Sequence, residues 1–177
     1  MTTQIVFETH ATTVDNELGR ATGWLPGELS AAGRVQAAEL GERRRRDGLD
    51  LVLTSDLHRA LETVRIAFAG SLPVLHDWRL RECDFGEWNG APRERVIAER
   101  MRFLETPYPG GESWAQAVDR VAPVTDDVRR RWPDKRVLVV GHVATRWGLQ
   151  ITFGGERLKD LATHDVAWQP GWEFELR

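Results

Sequence analysis

Val137-Leu138-Val139-Val140-Gly141-His142 is a short apolar run of the kind that forms a buried strand, and it ends beside a histidine. Ile5-Val6-Phe7 is a second such run, with His10 just beyond it, and Leu51-Val52-Leu53 is a third, followed a few residues later by Arg59. In open α/β sheets, ligands bind outside the carboxyl ends of the strands. We therefore expect His10, Arg59 and His142 to share one pocket, and their chemistry indicates a phosphate site.

Candidate strands alternate with candidate helices, which predicts an α/β fold with a mainly parallel sheet and helices on both faces. The predicted helices run from Ser30 toward Asp47-Gly48, from Leu57 to Phe68 with Ser55 or Asp56 as cap, from Pro92 to Leu104, from Glu112 to Trp132 with a kink or division at Pro123, and from about Ala144 to Phe153. A glycine-containing loop is predicted over 9–28, a strand at Val74-Leu75, and one or two edge strands around Val166 to Leu176. No linker or repeat divides the chain, so one domain over 1–177 is expected.

Composition narrows the class of protein. The 177 residues are 41% hydrophobic and 29% charged, which suits one globular core. Lys and Arg number 24 against 27 Asp and Glu, a net charge of −3, so a nucleic-acid partner is not expected. We read no basic, apolar leader and no membrane span, and we expect a cytoplasmic protein with no membrane partner. Cys83 is the single cysteine and no Cys/His group has zinc spacing, so neither a disulfide nor a metal site is expected.

Two conspicuous features have ordinary explanations. Arg43 to Arg46 ends a predicted helix, where cations favour the helix dipole, and a solvated helix end is the expected role. The eight tryptophans are scattered from Trp24 to Trp172, and most are expected in the core or in a pocket wall.

Six segments form an ordered set of motifs across nearly the whole chain. They are Phe7-Glu8-Thr9-His10-Ala11-Thr12-Thr13; Thr22-Gly23-Trp24 with Leu29-Ser30-Ala31-Ala32-Gly33; Ser55-Asp56-Leu57-His58-Arg59-Ala60; Leu80-Arg81-Glu82 with Gly86 and Trp88-Asn89-Gly90; Pro109-Gly110-Gly111-Glu112-Ser113; and Val139-Val140-Gly141-His142. In this order the set resembles the histidine phosphatase superfamily, also called the phosphoglycerate mutase-like family. The resemblance implies a three-layer α/β/α fold and a phosphatase that needs no cofactor and acts on a small phosphorylated molecule.

The resemblance also implies roles for four residues. His10 is similar to the nucleophile that accepts the phosphoryl group, and a histidine near a guanidinium is largely neutral at cytoplasmic pH. Arg59 resembles the phosphate clamp, since its planar fork can hold two phosphoryl oxygens. His142 resembles the second histidine, which donates a hydrogen bond to the transferring group. Glu82 matches the proton donor for the leaving oxygen, with its own proton or with one supplied by the substrate.

The loop after the first strand carries the implied substrate-binding residues. These are Thr9, Thr13, Asn16, Arg20, Thr22 and Gly23.

The chain departs from the family pattern at one position. The family signature begins Arg-His-Gly, whereas Thr9-His10-Ala11 stands here, so one of the two usual guanidinium clamps is absent. Arg20 or Arg146, which lie beside the two histidine segments, are candidate substitutes. Thr9 keeps a second hypothesis open, a repurposed member that binds a phosphorylated ligand without efficient turnover, and a mutase-like phosphotransferase is a third. The oligomeric state is also open, with a homodimer among the alternatives.

Overall fold

Seven strands follow one another along the chain in the computed structural model, which describes residues 2–164 and 168–176. They are β1 (Thr3–Thr9), β2 (Arg20–Ala21), β3 (Leu51–Thr54), β4 (Val74–His76), β5 (Ala91–Pro92), β6 (Arg136–Gly141) and β7 (Trp172–Leu176). Five of them form a sheet in the order β4-β3-β6-β1-β7, while β2 and β5 pair as a separate antiparallel ribbon. The first four strands of that order are parallel and only β7 is antiparallel, so the predicted mainly parallel sheet is confirmed.

Within the described residues, eight helices connect these strands. They are α1 (Val14–Glu17), α2 (Ala31–Arg44), α3 (His58–Phe68), α4 (Arg93–Glu99), α5 (Trp114–Asp119), α6 (Ala122–Arg131), α7 (Val143–Gly154) and α8 (Leu158–Thr163). Short 3-10 turns occupy Trp78–Leu80, Gly86–Trp88 and Arg100–Phe103. No helix among the described residues has the length and apolar character needed to cross a lipid bilayer.

The two faces of the sheet bury alternate residues of the same strands. Ile5 and Phe7 of β1 pack in one cluster with Val124, Val128 and Leu149 of α6 and α7. Val6, between them, packs in another cluster with residues of α2 and α3. Successive side chains of a strand point to opposite faces, so this partition places helices on both sides of the sheet and yields the three-layer α/β/α arrangement.

Most of the predicted helices form, with changes at their ends. Ser30 caps α2 as expected, since its hydroxyl accepts from the Gly33 amide at 3.0 Å. The predicted 112–132 helix is divided, as expected at Pro123, into α5 and α6. The predicted 92–104 helix is α only to Glu99 and then tightens into a 3-10 turn.

Other predictions were wrong. The 9–28 loop contains α1 and β2, which are too short to produce a hydrophobic period, and α8 was not predicted. Neither Ser55 nor Asp56 caps α3, which begins at an N-cap Leu57 without a side-chain bond. The tail strand is β7, and the part of that prediction at 166–167 lies outside the described residues.

The arginine run is not simply a solvated helix end. Arg44 is 9% exposed and its Nε donates to the buried Glu8 carboxylate at 2.8 Å. Arg43 also donates to Glu8, at 3.2 Å. These ion pairs connect the end of α2 to β1 at the residue before Thr9. Sequence reasoning missed them because the partners lie 35 residues or more apart.

Candidate active site

The two histidines lie side by side because their strands are paired neighbours. In the parallel register of β1 and β6, Thr9 is opposite Gly141, and the next residues are His10 and His142. The His10 amide donates to the Gly141 carbonyl at 3.0 Å, which extends the ladder to the histidine itself. The imidazole centroids are 4.9 Å apart, about the 4.8 Å that separates hydrogen-bonded strands.

Arg59 joins the two imidazoles from the first turn of α3. Its guanidinium is buried, and Nε donates to His10 Nε2 at 3.3 Å while Nη2 lies 3.3 Å from His142 Nδ1. The same fork donates to the carbonyls of Gly23 at 2.8 Å and Leu25 at 3.0 Å. The three groups expected to meet at one pocket are thus members of one hydrogen-bonded cluster. Burial lowers the pKa of Arg59 to about 10, which leaves it cationic at neutral pH.

The partners of His10 fix which ring nitrogen carries the proton and which has the lone pair. Nδ1 lies 2.8 Å from the Ala11 carbonyl, which can only accept, so Nδ1 carries the proton. Nε2 therefore has the lone pair, and it accepts from Arg59. Burial and the Arg59 charge lower the pKa of His10 to about 3, although the bond to Ala11 opposes them. The imidazole is accordingly neutral at physiological pH, as a nucleophile at phosphorus requires.

Ser55 contacts the ring nitrogen of His142 that does not face Arg59. Its Oγ lies 2.7 Å from His142 Nε2, and both groups are buried. A hydroxyl can donate or accept, so Ser55 supports the free state, in which Nδ1 accepts from Arg59, and also the tautomer whose Nδ1 donates to a phosphoryl oxygen. Burial, Arg59 and His10 all lower the pKa of His142 below its ordinary value. Sequence reasoning placed Ser55 at a helix cap and missed this contact, although the residue stands in the Arg59 motif.

Glu82 lies at the start of α7, where its carboxylate meets three backbone N–H groups. Oε1 accepts from Cys83 at 3.0 Å and from Ala144 at 3.1 Å, and Oε2 accepts from Val143 at 3.2 Å. Two of these donors belong to the first turn of a 12-residue helix, whose dipole favours a negative charge at that end. All three contacts use the carboxylate oxygens as acceptors, so backbone N–H groups hold the Glu82 side chain at this end of α7.

A cavity of about 280 Å³ opens over this cluster. The predicted residues that line it are His10, Arg59, Glu82 and His142 together with Thr9, Asn16, Arg20, Thr22 and Gly23. The predicted substrate role of Thr13 is not supported by its position: Thr13 is buried away from the lining, and its hydroxyl caps α1 by accepting from the Asn16 amide at 3.0 Å.

Thr22 has an unused hydroxyl in this wall. Thr22 is 5% exposed, and its Oγ1 has no hydrogen-bond partner among the described residues. It precedes Gly23, whose carbonyl binds Arg59, so it is placed to contact a ligand held by that arginine.

Three further arginines, besides Arg20 and Arg59, line the cavity. Arg146, which the sequence suggested as a substitute clamp, is there, and so are Arg93 and Arg100, which sequence reasoning did not single out. Arg93 and Arg100 come from the segment around α4, which approaches α7 only through tertiary packing. No local sequence motif marks these two arginines. No cluster of His, Cys, Asp and Glu arranged to hold a metal occurs within residues 2–164 and 168–176.

Comparison with known proteins agrees with this geometry. The profile of the histidine phosphatase superfamily (branch 1) matches residues 5–167. Phosphoserine phosphatase 1 of Hydrogenobacter thermophilus is 34% identical over 148 residues, covering 78% of this chain and 70% of that protein. The 2,3-bisphosphoglycerate-dependent phosphoglycerate mutase of an Arthrobacter species is 31% identical over 187 positions, covering 100% of this chain and 68% of that protein. Among solved structures, Bacillus stearothermophilus YhfR is similar with a TM-score of 0.85 at 25% identity, covering 97% of this chain and 90% of that chain.

Proposed function

The chain belongs to the histidine phosphatase superfamily, and from that premise we propose that it hydrolyses a small phosphomonoester through a phosphohistidine on His10. One observation carries the proposal: a single buried guanidinium, that of Arg59, donates to His10 Nε2 and lies at hydrogen-bond distance from His142 Nδ1. When a phosphoryl group enters between the imidazoles, the guanidinium gives up these bonds and donates to the phosphoryl oxygens instead.

In the first half of the reaction, the His10 Nε2 lone pair forms the N–P bond while the bond from phosphorus to the leaving oxygen breaks. Arg59 and the Nδ1–H tautomer of His142 stabilise the charge on the phosphoryl oxygens. Because both Glu82 oxygens already accept hydrogen bonds from backbone N–H groups, we assign the proton of the leaving oxygen to the substrate monoanion. A phosphomonoester with a second pKa of about 6 supplies this form near neutrality.

In the second half, water attacks phosphorus and the N–P bond breaks, which returns His10 with its lone pair on Nε2. The Glu82 carboxylate, in the wall of the same cavity, accepts the proton that the water loses. Glu82 thus acts as base in this step and releases the proton to phosphate or solvent.

The size of the site supports a small substrate. The cavity volume of about 280 Å³ lies just below the ~300–1,000 Å³ of typical ligand pockets. Relatives of this chain are named phosphoserine phosphatase and glucosyl-3-phosphoglycerate phosphatase, and both names specify small phosphorylated substrates.

The test is phosphate release from a panel of monoesters without added metal, combined with phosphoryl labelling. We expect an acid-labile, base-stable label on the peptide that contains His10, and loss of both label and turnover in His10→Ala. His58→Ala is the matched control, because His58 is 52% exposed on α3 and should leave turnover unchanged. A label on another residue, or full turnover by His10→Ala, would refute the phosphohistidine route.

Thr9 favours a second candidate, a protein that binds a phosphorylated ligand without efficient turnover. Thr9 lines the cavity at the position where the resemblance places an arginine, and a hydroxyl cannot supply its charge. Binding without turnover of any monoester in the panel would support this candidate, whereas isomerised ester with little free phosphate would identify a mutase.

A further inference from the structure

Arg120 lies between α5 and α6, and its guanidinium binds the segment of main chain that carries Glu82. Its Nη1 donates to the carbonyls of Arg79 and Arg81, both at 2.8 Å, and its Nη2 donates to the carbonyl of Glu82 at 2.8 Å. The Glu112 carboxylate accepts two further bonds, from Nε at 3.0 Å and from Nη2 at 2.9 Å. A guanidinium has five N–H donors, so every donor of Arg120 is engaged.

Glu112 holds Arg120 in this position and contacts the same segment itself. The side chains of Arg120 and Glu112 are 8% and 19% exposed, so the ion pair is largely shielded from solvent. Glu112 Oε2 accepts from the Asp84 amide at 3.1 Å, and the Glu112 amide donates to the Asp84 carbonyl at 2.8 Å. The ion pair therefore contacts the main chain on both sides of Glu82, at Arg81 before it and at Asp84 after it.

The main chain at Glu82 depends on such side-chain donors. Within the described residues, Glu82 belongs to no helix or strand, so no regular backbone ladder fixes it. Its carbonyl accepts from Trp24 Nε1 at 2.7 Å and from Arg120, while its carboxylate is held by N–H groups at the start of α7. A shift of this main chain moves the carboxylate relative to the reacting phosphorus, and a misplacement of about 1 Å can lower a rate about a hundredfold.

We propose that the ion pair of Arg120 and Glu112 positions Glu82 as the base that hydrolyses the phosphohistidine. The proposal rests on the proposed function and adds to it two positioning residues that lie outside the cavity lining. In the step concerned, water forms the new O–P bond, the N–P bond breaks with its electron pair returning to His10 Nε2, and Glu82 takes the proton of the water. Since the base acts only in this second half, the ion pair should affect hydrolysis of the N–P bond and not its formation.

Arg120→Lys tests the proposal, because lysine keeps the charge but has three donors in place of five. We expect the phosphoryl label on His10 to decay at least about tenfold more slowly than in the wild type after substrate is removed in a rapid-quench experiment. For p-nitrophenyl phosphate, kcat/KM reports formation of the phosphoenzyme and should stay within about threefold of the wild type. A general structural role would lower kcat/KM as well, so a parallel loss of both quantities overturns the positioning role.

Arg79→Lys is the matched control. Arg79 lies in the same segment, but its guanidinium pairs with the carboxylates of Asp77 and Asp127, so its replacement should leave both the decay and kcat/KM unchanged. Glu112→Gln removes the ionic partner of Arg120 and should slow the decay in the same way, which keeps the test decisive if Arg120→Lys does not fold.

A double-mutant cycle shows whether Arg120 acts through Glu82. A positioning residue has no effect once the residue that it positions is gone, so Arg120→Lys should not slow the decay further in a Glu82→Ala background. A further slowing of about tenfold in that background would overturn the assignment to Glu82.

The wild-type label separates this proposal from the proposed function. If the wild type turns over substrate without a label on His10, the phosphohistidine route is refuted and the positioning role falls with it. If the label forms on His10 but decays at the wild-type rate in both Arg120→Lys and Glu112→Gln, only the positioning role is overturned and the proposed function stands.

Discussion

Replacing Arg59 with lysine keeps the positive charge but removes the planar fork. The guanidinium reaches both imidazoles and two carbonyls at once, whereas an ammonium group is a compact donor that cannot span the same positions. In the proposed transition state, the fork holds two phosphoryl oxygens and lysine holds one. The loss of one charge-assisted hydrogen bond, about 1.5–3 kcal/mol, lowers kcat/KM by about ten- to a hundredfold.

The same substitution should lower stability, because the buried Gly23 carbonyl depends on Arg59 for its bond. Leaving one buried acceptor unpaired costs about 1–3 kcal/mol. For a chain of 177 residues, this corresponds to a decrease in Tm of about 2–12 °C. Steady-state phosphate release and thermal unfolding measure the two effects on the same samples.

Arg65→Lys is the control for Arg59→Lys. Arg65 lies on the same helix with 73% of its side chain exposed, so its replacement should leave both quantities unchanged. If Arg59→Lys retains kcat/KM within threefold of the wild type, the guanidinium is not the phosphate clamp. An equal loss in Arg65→Lys would trace the effect to general damage to α3.

Three further outcomes follow from the site and its support. Thr9→Arg should tighten inhibition by inorganic phosphate by about tenfold through an added charged hydrogen bond, and an unchanged inhibition constant would mean that another cation already fills this place. Because protonation removes the His10 lone pair and its pKa is lowered to about 3, kcat/KM measured against pH should not decline between pH 7 and 5; an acid limb centred near 6.5 would contradict the buried, neutral imidazole. Glu8→Gln should lower the free energy of unfolding by about 1.5–3 kcal/mol in urea titrations, since it removes the buried carboxylate that Arg43 and Arg44 share while Arg44 keeps its bond to Asp47, whereas the exposed Glu42→Gln should change it little.

The parts of the fold that sequence predicted are those that local patterns determine. The apolar runs of β1, β3 and β6 are buried because they lie in the middle of the sheet, and an uninterrupted apolar run indicates that position. The strand-end rule then places His10 and His142 together without any knowledge of the loops. The capping of α2 by Ser30 and the helix division at Pro123 involve only residues close to them in sequence, so both could also be predicted.

What could not be predicted depends on contacts between distant segments. The pairing of Glu8 with Arg44, the approach of Arg100 to Trp147 and the bond from Ser55 to His142 each join residues at least 36 positions apart. Thr13 is the opposite case. It belongs to a functional motif, but its hydroxyl caps the four-residue helix α1. The environment of Glu82 is also a tertiary result, since two of its three N–H donors belong to α7.

The spacing of the two imidazoles comes from the backbone ladder between β1 and β6, which the pairing of Thr9 with Gly141 carries up to the histidines. An insertion of one residue in either strand would advance its histidine by about 3.3 Å and turn it toward the opposite face of the sheet. Grafts that lengthen or exchange the segments over the cavity leave that ladder untouched. Libraries aimed at new specificities can therefore vary the covering loops freely in length, while the two short strands tolerate substitution but no change in residue number.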